Sequence, residues 1–199
     1  MMKKLILASQ SPRRKELLTQ LGYQFSTQVA DIDESPLLNE IPQDYVLRLA
    51  KQKAQAIFQI LPETEQANSI VLGSDTCVVV DDKILGKPDD EAQCIAMLEQ
   101  LSGSSHQVLT SIAAIDSQSV VSELVTTKVY FKPLTLSEIK RYWQTGEPCD
   151  KAGSYAIQGI GGQFVTKING SYSAVVGLPL YETAQMLATL GITSSIQDK

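Results

Sequence analysis

In the stretch Leu5–Gly22, LILASQSPRRKELLTQLG, an apolar run gives way to small polar residues and a proline, and Arg13, Arg14 and Lys15 follow at once. Ser11 is a good N-cap and Pro12 suits the first helical position, so a helix is predicted to start near Pro12. That N-terminus is the positive end of the helix dipole, where each cation is unfavourable by about 0.3–1 kcal/mol. A bound anion reverses the sign. A phosphate held by backbone N–H groups, with the arginines closing on it, would turn the penalty into binding; a solvated basic turn is the competing reading, equally supported by this stretch alone.

Three more pieces could carry chemistry: Asp33-Glu34 in the turn DIDE, Ser74-Asp75-Thr76, and Gly86-Lys87-Pro88. Short acidic turns are ordinarily solvated, and Lys87 and Lys53 are by default solvent lysines. Asp75 is different because it interrupts an apolar strand, where an unpaired buried carboxylate is costly.

The elements that must position these groups alternate in the first half of the chain. Leu5–Ala8 reads as a buried strand, PRRKELLTQLG as a helix with Leu17, Leu18 and Leu21 on one face and Gly22 as its C-cap, and YQFSTQVA as a second strand. PQDYVLRLAKQKAQAIFQIL repeats apolar residues at Val46, Leu49, Ala50, Ala54 and Ile57, the stripe of a long amphipathic helix. SIVLGSDTCVVV reads as a strand interrupted at Gly73–Thr76, followed by an Asp81-Asp82 turn. A helix over DDEAQCIAMLEQLSG, a hairpin from HQVLTSIAAID and SVVSELVTTKVYFKPL, and a helix capped by Thr135 and Glu138 come next. A Gly-rich stretch, a helix over YETAQMLATLG and a frayed tail ITSSIQDK complete the chain. This order predicts an α/β fold, a mixed twisted sheet flanked by helices, with two lobes around a ligand-binding cleft in one domain spanning residues 1–199.

The 199 residues suffice to bury about 70% of the unfolded chain's surface. The net charge of −5 argues against nucleic-acid and membrane partners, both anionic. Cys77, Cys94 and Cys149 are odd in number and widely spaced, which indicates neither disulfides nor a zinc site and fits a reducing cytoplasm. The apolar run at the N-terminus is too short for an export signal, and no stretch approaches a membrane span. His106, the only histidine, is assigned no role.

The order of the pieces carries a resemblance. LASQSPRRKELL, DIDE, YVLRLAKQKA, GSDT, GKP, LSG and KAGSYAIQGIGG…ING…VVGLP resemble, along nearly the full length, the Maf family of nucleoside triphosphate pyrophosphatases. The resemblance implies a fold similar to inosine triphosphate pyrophosphatases and hydrolysis of the α–β phosphate bond of a nucleoside triphosphate, giving the monophosphate and pyrophosphate. It makes Asp75 the general base, with Glu34 its partner in holding a divalent cation, Mg²⁺ or Mn²⁺. Ser9, Arg13, Lys53 and Lys87 match polar and cationic phosphate-site positions, with Arg14 a weaker candidate beside them.

SPRR, SDT and IQG resemble the subgroup acting on dTTP and UTP, whereas the subgroup acting on 7-methyl-GTP carries a tryptophan in place of Arg13 and a glutamine in place of Thr76. The Gln158 carboxamide offers one donor and one acceptor, a match for N3–H and a carbonyl of uracil or thymine. Gly159, Gly161 and Gly162 are expected to let the backbone approach a flat base. A homodimer is expected for the assembly. Other readings are the same reaction on 7-methyl-GTP or another modified nucleotide, a nucleotidyltransferase, and a non-catalytic nucleotide sensor. The transferase is disfavoured because Gln10 and Pro12 stand where its glycines belong.

Overall fold

The computed structural model describes residues 3–194. Its first elements are β1 (Lys4–Ala8), α1 (Pro12–Gln20), β2 (Phe25–Gln28) and α2 (Pro42–Ile60). Then come α3 (Glu63–Gln66), β3 (Ser69–Val80), β4 (Lys83–Leu85) and α4 (Glu91–Leu101). The rest are β5 (Ser105–Ile115), β6 (Val120–Phe131), α5 (Leu136–Trp143), β7 (Val165–Asn169), α6 (Tyr172–Val176) and α7 (Leu180–Thr189), with 3₁₀ turns between α5 and β7. The strands form one seven-stranded sheet in the order β2-β1-β3-β5-β6-β7, with β4 paired to β3. β1 is parallel to β2 and β3, while β3–β4 and β6–β7 are antiparallel. The sheet is therefore mixed, as expected. The short α3 and the 3₁₀ turns have no counterpart in the sequence reading, and ITSSIQDK lies largely outside the described residues.

The chain divides into two compact units. One comprises residues up to Asp75, Thr110–Val125 and the chain from Gly177 onward; the other comprises Thr76–Leu109 and Thr126–Val176. In the first unit, α2 buries Val46, Leu49, Ala50, Ala54 and Ile57, the predicted stripe, together with Pro42 at its start and Lys53. Ala54 and Ile57 pack with Ile6, Ala8, Val71 and Ile115 in one apolar core. The helix also approaches β3 closely. A Cβ added at Gly73 would stand 2.2 Å from the Ala50 carbonyl oxygen and 2.9 Å from the Ala54 nitrogen. Gly73 is thus the notch that admits α2, and β3 runs unbroken through Gly73–Thr76 where an interruption is expected from sequence.

The second unit has its own core, in which Val78, Leu98, Leu101, Val129, Phe131, Ile139, Tyr142, Tyr155 and Phe164 pack together. Asp81 and Asp82 both take left-handed backbone angles and turn β3 tightly into β4, with Val80 opposite Lys83. Thr135 and Glu138 form the expected capping box of α5: the Thr135 hydroxyl accepts from the Glu138 N–H at 3.2 Å, and Glu138 Oε2 accepts from the Thr135 N–H at 2.8 Å. His106 is buried, its Nε2 2.8 Å from the Tyr155 hydroxyl. Burial holds its pKa down at about 4, so at neutral pH it is an uncharged core residue. Cys77 and Cys94 are buried and Cys149 is exposed, and none of them forms a disulfide.

Candidate active site

Asp75 and Lys53 each break an apolar pattern, one on β3 and the other on the buried stripe of α2. The two breaks answer each other. Lys53 Nζ donates to Asp75 Oδ1 at 2.7 Å and lies 2.8 Å from Glu34 Oε1, so one ammonium bridges two carboxylates. Asp75 is 6% exposed and Lys53 9%, whereas the Glu34 side chain is 55% exposed. The solvent-lysine reading of Lys53 is overturned, and the reason is the Gly73 notch. Gly73 and Asp75 lie two residues apart on one face of β3, and the close approach at Gly73 brings the adjacent turn of α2 over Asp75. Burial pushes the Asp75 carboxyl above its ordinary value; Lys53 and Arg14 draw it back only in part.

Glu34 owes its place to a held loop. Arg48 on α2 grips Glu40 with two N–H groups, at 2.6 and 2.7 Å, and donates to the Ser35 carbonyl at 3.1 Å. That grip holds the Glu40 carboxyl down at about 2. The Tyr45 hydroxyl donates to the Glu34 carbonyl at 3.0 Å, and Asp33 Oδ1 accepts from the Ser35 N–H at 2.9 Å. The acidic turn is exposed, but its end at Glu34 and Ser35 is tied to α2, so it is not simply a loose solvated loop.

Ser11 caps α1 as expected, its hydroxyl accepting from the Arg14 N–H, and Ser9 Oγ accepts from the Ser11 N–H at 3.1 Å. The three cations of the first turn then part company. Lys15 is exposed and Arg13 half-buried. Arg14 donates through Nε to the Gly177 carbonyl at 2.9 Å, an oxygen that also accepts from Ser74 Oγ at 3.1 Å. Burial lowers the Arg14 guanidinium, Asp75 raises it, Arg13 lowers it again and Glu34 raises it. A cation read as offered to an anion is therefore partly a brace inside the fold. Gly177, at φ 130°, takes a backbone conformation open to glycine.

The remaining candidates belong to the second unit. Thr76 follows Asp75 on β3 and, by strand alternation, points to the opposite face. Lys87 is exposed in the loop after β4, and Gln158 is exposed in a turn between Tyr155 and the 3₁₀ turn Ile160–Phe164. The glycines beside Gln158 are closely packed against the protein itself. Gly159 has φ −116°, open to any residue, yet a Cβ there would stand 2.2 Å from Glu147 Oε2. A Cβ at Gly161 would meet the Tyr142 hydroxyl at 2.5 Å, and one at Gly162 the Ile157 carbonyl at 2.6 Å. At each of these three positions the space a side chain would need is taken by the protein's own atoms.

Among the described residues no group of three or more His, Cys, Asp and Glu side chains is arranged to hold a metal ion, and no helix is long and apolar enough to cross a membrane. Asp75 and Glu34 present hard carboxylate oxygens around one point, now bridged by a cation of the protein itself. That donor set suits Mg²⁺ or Mn²⁺ completed by phosphate and water oxygens.

The family model described as Maf-like protein matches residues 4–190. A protein named dTTP/UTP pyrophosphatase from Colwellia psychrerythraea is 64% identical over 196 residues, 98% of this chain and 92% of that one. Proteins of the same name from Vibrio vulnificus and Pseudoalteromonas atlantica are each 57% identical over 94% of this chain, covering 98% and 97% of their own. A solved nucleoside-triphosphatase / dITP/XTP pyrophosphatase from Mycobacterium abscessus shows a looser likeness, with TM-score 0.41 and 15% identity over 64% of this chain and 72% of its own. Matched along nearly its whole length, from β1 to the end of α7, the chain belongs to the family of Maf-like proteins.

Proposed function

We propose that this protein is a nucleoside triphosphate pyrophosphatase that hydrolyses dTTP and UTP to the monophosphate and pyrophosphate. The observation that carries the reading is the buried Asp75, joined through Lys53 to Glu34, in a chain whose relatives bear that activity in their names. Asp75 accepts a proton from a water molecule as the water attacks the α-phosphorus. The α–β anhydride bond breaks and the electron pair leaves with pyrophosphate. A carboxyl raised by burial is a better base near neutrality than an exposed one. Lys53, beside it, stabilises charge that grows on the phosphoryl oxygens.

Ser9 and Arg13 at the start of α1, with Lys87, hold the triphosphate; Arg14 supports that turn through Gly177. Asp75 and Glu34 are the residues that would hold Mg²⁺ or Mn²⁺, which supplies charge neutralisation on the phosphates. Gln158 pairs with the N3–H and a carbonyl of uracil or thymine, and Thr76 contributes to substrate selection.

Product analysis tests this directly. Purified protein with Mg²⁺ or Mn²⁺ should release pyrophosphate, not orthophosphate, from dTTP and UTP ahead of other nucleotides. Pyrophosphate from a different nucleotide would keep the chemistry and overturn the base assignment, whereas no pyrophosphate from any triphosphate would overturn both. The kcat/KM profile should fall on its acid side at a pH above the 3.8 of an ordinary Asp.

A further inference from the structure

Glu147 has no part in the site described so far, yet its carboxylate collects three donors. Oε1 accepts from the Tyr142 hydroxyl at 2.7 Å and from the Gly161 N–H at 2.8 Å, and Oε2 accepts from the Ile160 N–H at 2.8 Å. The Tyr142 hydroxyl in turn accepts from the Ala156 N–H at 3.1 Å. The backbone is therefore pinned on both sides of Gln158, at Ala156 before it and at Ile160 and Gly161 after it, by one Tyr–Glu pair. Tyr142 is anchored in the apolar core through α5, so the pair connects an exposed turn to a rigid element.

The glycines record how tightly this pair is fitted. Gly159 has an unremarkable backbone conformation, and the Glu147 carboxylate is the nearest obstacle to a side chain there; at Gly161 it is the Tyr142 hydroxyl. A flexible glutamate could swing away from a new methyl group, but one fixed by three donors must first surrender its hydrogen bonds. Burial raises the Glu147 carboxyl, and the N–H of Gly161, the Tyr142 hydroxyl and the N–H of Ile160 outweigh it, leaving the group below its ordinary range. Burial and the facing carboxylate push Tyr142 up. The tyrosine stays the donor and the glutamate the acceptor throughout the neutral range.

We infer that Glu147, acting with Tyr142, is a positioning residue for base selection: it holds the turn that presents the Gln158 carboxamide in the orientation that distinguishes uracil and thymine from cytosine. The inference rests on the proposed role of Gln158. A carboxamide reads N3–H only when its oxygen faces the base edge, and a turn free to rotate loses that discrimination before it loses the phosphate chemistry carried by Asp75 and Lys53.

The test is steady-state pyrophosphate release from dTTP, UTP and CTP by the full chain and by Gln158→Ala, Glu147→Gln, Glu147→Ala, Tyr142→Phe, Gly159→Ala and the double variant Glu147→Ala/Gly159→Ala. Removal of Glu147 should raise KM for dTTP and UTP about tenfold and narrow their advantage over CTP by a similar factor, with kcat changed less than about threefold. Tyr142→Phe and Glu147→Gln, which keep the shape, should give smaller shifts in the same direction. Gly159→Ala should resemble Glu147→Ala when Glu147 is present and add nothing when it is absent. Relaxed preference in Gln158→Ala, with full preference and unchanged KM in a folded Glu147→Ala or Tyr142→Phe protein, would overturn the positioning role alone. Intact preference in Gln158→Ala would overturn the base contact and this inference with it.

Discussion

The surroundings of Asp75 and of Gln158 are built on opposite plans. Asp75 and Lys53 sit on a long strand and a long helix, buried, with an apolar core behind them and a single bridging ammonium satisfying the carboxylates. Gln158 sits exposed on a short turn, and what fixes it is a local set of hydrogen bonds centred on Glu147 and Tyr142. A charge in low dielectric must be placed by elements that cannot yield, because a small displacement leaves it unpaired at a cost of several kcal/mol. The base-edge recognition proposed for Gln158 needs correct orientation only while the base is present, which an exposed turn with a fixed root can provide.

The largest expected effect breaks the first plan at its centre. Asp75→Asn should lower kcat by about 10³-fold while nucleotide binding persists, read by single-turnover assays and by equilibrium binding of a non-hydrolysable triphosphate. Near-normal turnover would remove Asp75 from the proton transfer. Lys53→Met leaves Asp75 without its ammonium and should cost about 3 kcal/mol of stability in urea unfolding, together with about 10²-fold in kcat/KM.

A contrast in pH separates the regions further. His106, in the second unit, is buried with its pKa held near 4, below the 6.5 of the unfolded chain. Its stabilising contribution is complete above pH 6.5 and is lost as pH falls toward 4, because the unfolded state takes up the proton first; about 2–3 kcal/mol should go by pH 4.5. His106→Gln should flatten that slope in urea titrations at the two pH values, and an unchanged slope would place the acid sensitivity elsewhere. Gly73→Ala should cost about 2 kcal/mol, a Tm drop of about 4–8 °C, and lower kcat as α2 is lifted away from β3. Gln158→Ala, the mildest, should leave the fold and kcat intact and narrow the preference for dTTP over CTP about tenfold.

The same division explains what sequence alone could reveal. The stripe of α2, the N-caps of α1 and α5 and the mixed character of the sheet follow from pattern and element order, and all of them form as expected. The polar character of Ser74–Thr76 and the glycine before it suggest an interrupted strand, but β3 is continuous because a helix fills the space at Gly73 and a lysine neutralises Asp75, both from far away in the chain. One signal was available: Lys53 falls within the apolar stripe of α2, and a cation there implies a buried anion on whatever the stripe packs against. The close packing at Gly159 and Gly161 was out of reach, since their partners Glu147 and Tyr142 belong to other elements and only the φ of Gly159 shows that backbone freedom is not the reason for a glycine there.

The carbonyl of Gly177, which receives both Arg14 Nε and Ser74 Oγ, also sets an order in time. Arg14 precedes it by 163 residues and Ser74 by 103, whereas all of the second unit, through Val176, is synthesised before it. On the ribosome, the second unit can complete its core first, and the first turn of α1 waits for its anchor until almost the whole chain has emerged.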